Sequence, residues 1–450
     1  MTRDSVTRSY VERCLEEGSA LRDLVSRVPF PREADADYRS ILLPRPMFVP
    51  HDSIATCADD LTSLFHVLTS LPDRLFGGDV DGYSRELGID PRRAALIQRL
   101  GGEITLYGRA DLYRVDDSFK LLEFNINSSV GGVSWSDMAK YMLEVPEFRE
   151  FADEHGLDYV HTGERFVRAL REASRTVTGG APPVVGAVDC DGAMAKYRSM
   201  YLSLQEMMRG FGIEMVLGEL SEVREKGGRL YLQGRPLDVV ARYFTVEEVV
   251  ASPDGEKVLE PIFRAHEEGR VVLWTTMRTG LVHNKACLAM LHDQRWRDAF
   301  SAEERALIDR ILPWARVLDS GTVEAGGTTV DLLDYCREHR EKIIMKPVNG
   351  YSGIGSYAGW EQSDRDWREL LAGARGRGYI VQERVVPDPE PIVDPESGTV
   401  RDHDSVWGVF VTPEGYGGAQ VRATPSGGQA VINMGADRRV KAAPVFRHAS

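Results

Sequence analysis

Apolar residues in the N-terminal part of the chain recur at helical spacing. Tyr10, Val11, Cys14, Leu21 and Leu24 predict an amphipathic helix from Ser5 to about Val28. Leu61, Leu64, Phe65 and Leu68 predict another, capped by Asp52 or Ser53 and running to about Leu71. A proline-containing stretch, Leu42–Pro50, separates the two, and a further helix is expected over Pro91–Leu100. From Thr105 the period shortens. Leu106–Val115 reads as a strand, residues 116–118 as a turn, and Lys120–Asn127 as the return strand, followed by the small-residue loop Ser128–Gly132.

The middle of the chain alternates strand and helix. Pro183–Val188, Glu214–Leu217, Leu230–Leu232 and Val239–Phe244 are short apolar runs, and Lys196–Phe211 is a helix that Gly212 ends. This alternation predicts a parallel sheet. Later come a helix around Pro261–Glu268, a strand Val271–Thr275, and a helix that Asn284 caps. A helix over Asp331–Lys342 leads into the strand Ile343–Lys346, where Pro347 stops the ladder. Beyond it lie a helix Asp364–Arg375, a buried strand Gly378–Val386, a polar mobile loop Pro387–Thr399, and strands Ser405–Thr412 and Val421–Thr424.

Composition narrows the class. At 450 residues the chain exceeds one ordinary core, so about two or three substructures are expected. A hydrophobic content of 42% and a charged content of 28% describe a globular protein. There is no apolar run of about 18 residues and no apolar leader after Met1, so neither a transmembrane helix nor a signal peptide is expected. Five cysteines are scattered without a Cys-x-x-Cys pair, which argues against disulfides and zinc and for a reducing cytoplasm. A formal charge of −14 without a strongly basic segment argues against nucleic acid and membrane as partners.

Chemistry concentrates in a few stretches. Lys346 ends a buried strand and is followed by Gly350, Ser352, Gly353 and Gly355. A cation before a glycine loop can neutralise a polyphosphate while backbone N–H groups turn toward it. A glycine-rich hairpin with a surface lysine is the alternative. Glu123 and Asn125, two apart on a strand, share a face and could offer oxygens to Mg²⁺ shared with phosphates, or face water as edge residues. Arg109, Asp111 and Arg114 add charge on the partner strand. Lys285 opens a helix, which the helix dipole disfavours unless an anion sits there too or the lysine is solvated. Arg242, at the end of a strand of the parallel sheet, either holds a carboxylate or lies on the surface.

Taken in order, these pieces resemble the ATP-grasp ligases. The likeness is to their circularly permuted branch, which includes eukaryotic-type glutathione synthetase and glutathionylspermidine-synthase-like proteins. The motifs are Arg109-Ala110-Asp111, Glu123-Phe124-Asn125 with Ser128–Gly132, Asn284-Lys285, Lys346-Pro347 with its glycine loop, Gln382-Glu383-Arg384-Val385, and Arg422 with Gly427-Gly428. The resemblance implies an α/β (α+β) fold, a circularly permuted ATP-grasp with an inserted parallel-sheet substrate domain. Residues 1–180 would hold a helical region and the metal-binding part, 181–280 the substrate domain, and 281–450 the ATP-binding part.

It also implies an ATP-dependent carboxylate–amine ligase working through an acyl phosphate on an amino acid, small peptide or specialised metabolite. A phosphotransferase on the same fold, or a nucleotide-binding scaffold without turnover, is the alternative. By resemblance, Glu123 and Asn125 bind Mg²⁺, Lys285 and Lys346 contact phosphates, and Gly350–Gly355 covers them. The backbones of Gln382 and Val385 meet adenine, with Glu383 nearby. Arg109 and Arg242 hold carboxylates, and Arg422 stabilises the acyl phosphate. A homodimer is an assembly the resemblance admits.

Departures exist too. Gly350 stands where that branch carries a metal-binding glutamate, leaving Asn349 or Asn433 as substitutes. The ribose-binding acid is His403 or Asp404, with Asp404 favoured on chemistry. The substrate contacts of glutathione synthetase do not all carry over, so glutathione synthesis is not expected.

Overall fold

The computed structural model describes residues 4–449 apart from 32–34, 117, 320, 326, 351–352 and 436, with the backbone alone described at 35–37 and 325. Its centre is a seven-stranded mixed sheet. In spatial order the strands are Met47–Pro50, Lys441–His448, Gly415–Pro425, Val400–Thr412, Gly108–Val115 and Ser118–Ile126, with Glu390–Val393 pairing to one end of Val400–Thr412. The first pair is parallel and the rest antiparallel. Early and late segments therefore share one sheet.

A long helix, His51–Phe76, packs across this sheet and buries Ile54, Leu61, Leu64, Leu68 and Leu71. Its hydrophobic stripe is the one read from sequence, but its ends differ. Pro50 takes the cap position with no side-chain cap bond, so the helix starts ahead of Asp52 and Ser53. Pro72 does not end it, and Gly77 does, in the left-handed conformation that suits glycine. The single N-terminal helix expected over Ser5–Val28 is two, Ser5–Leu15 and Leu24–Arg27. Gly18, at φ 72°, turns the chain between them.

Two smaller sheets flank the centre. One is parallel, in the order Val272–Trp274, Val239–Arg242, Val184–Asp189 and Glu214–Glu219. Leu230–Leu232, expected among its strands, instead lies in an antiparallel three-stranded sheet with Arg224–Lys226 and Arg235–Pro236. The glycine pair at positions 227–228 and the turn at Gly234 make local hairpin pairing short-range, and that won over crossover pairing.

The other is antiparallel, in the order Ala315–Val317, Tyr379–Glu383, Ile343–Pro347 and Tyr357–Ala358. Pro347 still pairs with Tyr379, and the contact continues as Val348 N–H donates to the Gly378 carbonyl.

Pro387–Thr399, expected to be a loop, contains the strand Glu390–Val393. A buried ion pair explains its order: Arg45 meets Glu390 at 2.6 Å, with side chains 2% and 8% exposed. Ile392 and Val393 are buried beside them. No helix among the described residues is long and apolar enough to cross a membrane.

Candidate active site

A cavity of about 420 Å³ lies between the central sheet and the small antiparallel sheet. The sheet pleat explains its floor. Asp111 pairs with Glu123, and Arg109 with Asn125, across adjacent strands. Residues two apart share a face, so all four side chains point the same way, and all four line the cavity. Asn125 Nδ2 donates to Glu123 Oε1 at 3.1 Å.

Three distant segments meet here. Lys285 is placed by the helix Lys285–Met290, whose cap is the fully buried Asn284, its side chain accepting from Ala286 N–H at 2.8 Å. Lys285 Nζ sits 3.1 Å from Glu123 Oε2 and donates to the Gly350 carbonyl at 3.0 Å. Lys346, from the other sheet, donates to Gln382 Oε1 at 2.6 Å. Burial alone would raise the pKa of Glu123, but Lys285, the Asn125 hydrogen bond and Lys346 hold its carboxyl well below the usual range. Glu123 is therefore ionised at neutral pH. Burial pushes the Lys346 ammonium down to about 8, with Lys285 acting the same way and Glu123 opposing.

Paired arginines form another part of the wall. Asp111, almost fully buried, accepts from Arg109 Nε at 2.7 Å and Nη2 at 3.1 Å, and lies 2.7 Å from Arg422 Nη2. Arg109 Nη1 donates to the Gly131 carbonyl at 2.7 Å, anchoring the small-residue loop. The stem of Arg109 crosses Gly408, where an added Cβ would come within 2.9 Å of Arg109 Cδ. Five cations, Arg109, Lys285, Lys346, Arg384 and Arg422, thus face three carboxylates, Asp111, Glu123 and Glu383. Such an excess favours an anion.

Apolar side chains, Ile344, Val406 and Ile432, also line the cavity, with Gln382, Glu383 and Val385. Trp360 also faces the cavity, and the Arg384 guanidinium lies 4.2 Å from its ring centroid. Gly350 and Gly353 line the cavity too. An added Cβ at Gly350 would meet Pro347 Cγ at 2.6 Å, so this backbone has no room for a glutamate there. Of the two substitutes, Asn433 lines the cavity, whereas Asn349 lines a small adjoining pocket.

Not every expected residue reaches the cavity wall. Arg242 is 2% exposed and turned inward. It donates to the carbonyls of Thr275 and Phe244 at 2.9 and 2.7 Å, and to Asn127 Oδ1 at 2.9 Å. Its hydrogen bonds anchor protein oxygens rather than reach the main cavity. Asp404 accepts from Ser426 Oγ at 2.7 Å, and His403 contacts the Arg401 carbonyl at 3.1 Å; neither lines the cavity. Gly355 sits at the loop base near Pro347 and Tyr379, and Ser352 lies outside the described residues. Tyr113, His283 and Trp360 line the cavity without having been assigned from sequence. Tyr113 had a signal, because it lies two residues beyond Asp111. His283 and Trp360 sit in short helical turns, where no periodicity marks a face.

No family model matches the chain, and no curated protein matches it. Among solved structures it is similar to a glutathione synthetase-like effector from Globodera pallida in its apoform, with a TM-score of 0.56 at 11% identity. That likeness covers 100% of this chain and 98% of the other. A putative gamma-glutamylcysteine synthetase from Methylobacillus flagellatus is more distant, with a TM-score of 0.41 at 14% identity over 79% of this chain and 84% of that one. D-cycloserine synthetase gives a TM-score of 0.25 at 19% identity, over 45% and 59%. The chain thus has a glutathione synthetase-like fold, as the sequence motifs had indicated.

Proposed function

We propose that the chain is an ATP-dependent ligase that joins a carboxylate to an amine through an acyl phosphate. One observation carries the reading: Glu123, Lys285 and Lys346, far apart in sequence, meet in one cavity with an excess of positive charge. Lys285 and Lys346 neutralise the phosphates, and the backbones of Gln382 and Val385 receive the base. Arg109 and Arg422, fixed by Asp111, hold the acid and the phosphoryl group passing to it. Such work is positioning and charge stabilisation, needing no protein nucleophile.

Mg²⁺ fits the donor set. Glu123 is an ionised oxygen donor beside the amide of Asn125, and phosphates and water complete the shell of so hard a cation. Bound there, it would screen the phosphoryl oxygens. Glu123→Gln removes the charged ligand, and the Mg²⁺ concentration for half-maximal activity should rise about tenfold or more. An unchanged Mg²⁺ dependence would place the metal elsewhere.

Lys346 makes nucleotide binding depend on pH. Its ammonium is lowered from 10.5 to about 8 by burial. A bound polyphosphate favours the charged form, so above about 8 binding must take up a proton. Mg-ATP affinity should be flat below that point and weaken above it, by up to about tenfold per pH unit. Calorimetry in buffers of different ionisation enthalpy checks the proton uptake, and affinity independent of pH would remove Lys346 from the phosphate site.

The activity test is Mg-ATP with pooled amino acids, scoring ADP, phosphate and new amides together. Phosphate released with an amide product is the expected result. A phosphorylated product would instead make the protein a phosphotransferase, and ATP binding without any product would leave a scaffold.

A further inference from the structure

Gln382 stands out among the cavity residues. It is 1% exposed, although it carries a polar amide into the middle of a sheet. Burying an amide costs free energy unless its hydrogen bonds are made. On the antiparallel pair Ile343–Pro347 and Tyr379–Glu383, Ile344 stands opposite Gln382 and Lys346 opposite Ile380. Gln382 and Lys346 are therefore diagonal neighbours on one face, the geometry in which long side chains meet. Lys346 Nζ donates to Gln382 Oε1 at 2.6 Å, and its other oxygen contact is the Leu122 carbonyl at 3.5 Å. Both contacts are neutral.

We propose that the Gln382 side chain is a positioning residue for Lys346: it holds the ammonium in the phosphate path with a neutral oxygen, so that the lysine's charge stays available to the nucleotide. This rests on the reading of the cavity as an ATP site, and gives Gln382 a task beyond its backbone contact with the base. The choice of amide matters. A carboxylate of the same shape would hold the lysine equally well but cancel its charge before ATP arrived. An apolar residue would leave the ammonium with little more than a distant carbonyl.

The charged groups acting on Lys346 are Glu123, from the strand Ser118–Ile126, Lys285, from the helix Lys285–Met290, and Asp111, from the strand Gly108–Val115. Glu123 and Asp111 favour the charged form, while Lys285 and burial oppose it. Gln382 is the neutral member of this set, and changing it alters the balance without removing any of the others.

The test is the Mg-ATP affinity of wild type, Gln382→Met and Gln382→Glu, measured from about pH 6.5 to 9.5. With Gln382→Met, affinity at neutral pH should fall about tenfold, and the alkaline limb should move to lower pH. With Gln382→Glu, affinity at neutral pH should also fall, but the limb should move to higher pH, because the new carboxylate stabilises the ammonium. Opposite displacements are a result that general loosening of the strand cannot produce. Circular dichroism confirms folding, and if Gln382→Met does not fold, the upward displacement in the isosteric Gln382→Glu carries the test alone. Affinity that changes with the limb unmoved, or does not change, overturns the proposal. Absence of Mg-ATP binding by wild type would instead overturn the ATP site itself.

Discussion

Lys346→Ala should lower Mg-ATP affinity by about tenfold to a hundredfold and leave almost no turnover, with the fold intact. A hydrogen bond from a charged donor contributes about 1.5–3 kcal/mol, which sets the affinity loss. Removing a group that stabilises charge in the transition state typically costs a further hundredfold or more in rate. Folding should survive, because Lys346 lies one residue from the end of its strand and is only partly buried. Its removal also relieves the cost of a charge in a low-dielectric site. Isothermal titration and a coupled ADP assay, beside a thermal melt, separate these effects. Wild-type affinity in the variant would remove Lys346 from the phosphate site.

Arg242→Met should act the other way, on stability first. The guanidinium is 2% exposed and bonds the Thr275 and Phe244 carbonyls, Asn127 Oδ1 and Thr279 Oγ1. Methionine fills much of the volume but leaves these oxygens without their donor, each at about 1–3 kcal/mol. A loss of about 3–5 kcal/mol is expected, read as a fall in the urea midpoint. The site should suffer as well. Ser128 Oγ donates to the Arg242 carbonyl at 2.5 Å, and Asn127 lines the cavity, so the loop after the strand Ser118–Ile126 hangs on this point. Lysine at this position would not rescue stability, since one ammonium cannot reproduce a guanidinium's planar fan of donors. An unchanged urea midpoint in Arg242→Met would return Arg242 to the role of a ligand-binding group.

These two residues show what the sequence could tell. Lys346 was legible because an apolar run ending in a cation before glycines carries its own geometry. Glu123 and Asn125 were legible for the same reason, since a period of two puts alternate residues on one face. Asn284 was legible as a cap. Arg242 was not: a strand-end arginine looks the same in sequence whether it meets solvent, ligand or protein carbonyls, and only the packing of the Thr275–Thr279 turn against it decides. Strand partners were equally hidden. Nothing local in Met47–Pro50 says that it pairs with Lys441–His448, and nothing in Leu230–Leu232 excluded the parallel sheet until its glycine-flanked neighbours folded back on it. Pattern fixes the face a residue presents, and long-range pairing decides what that face meets.

The most direct measurement is a crystal structure with a non-hydrolysable ATP analogue and Mg²⁺. The terminal phosphates should contact Lys285 Nζ and Lys346 Nζ, the metal should sit against Glu123, and the base should lie along Gln382–Val385. A nucleotide bound on another surface, or one whose phosphates point away from these lysines, would contradict the account.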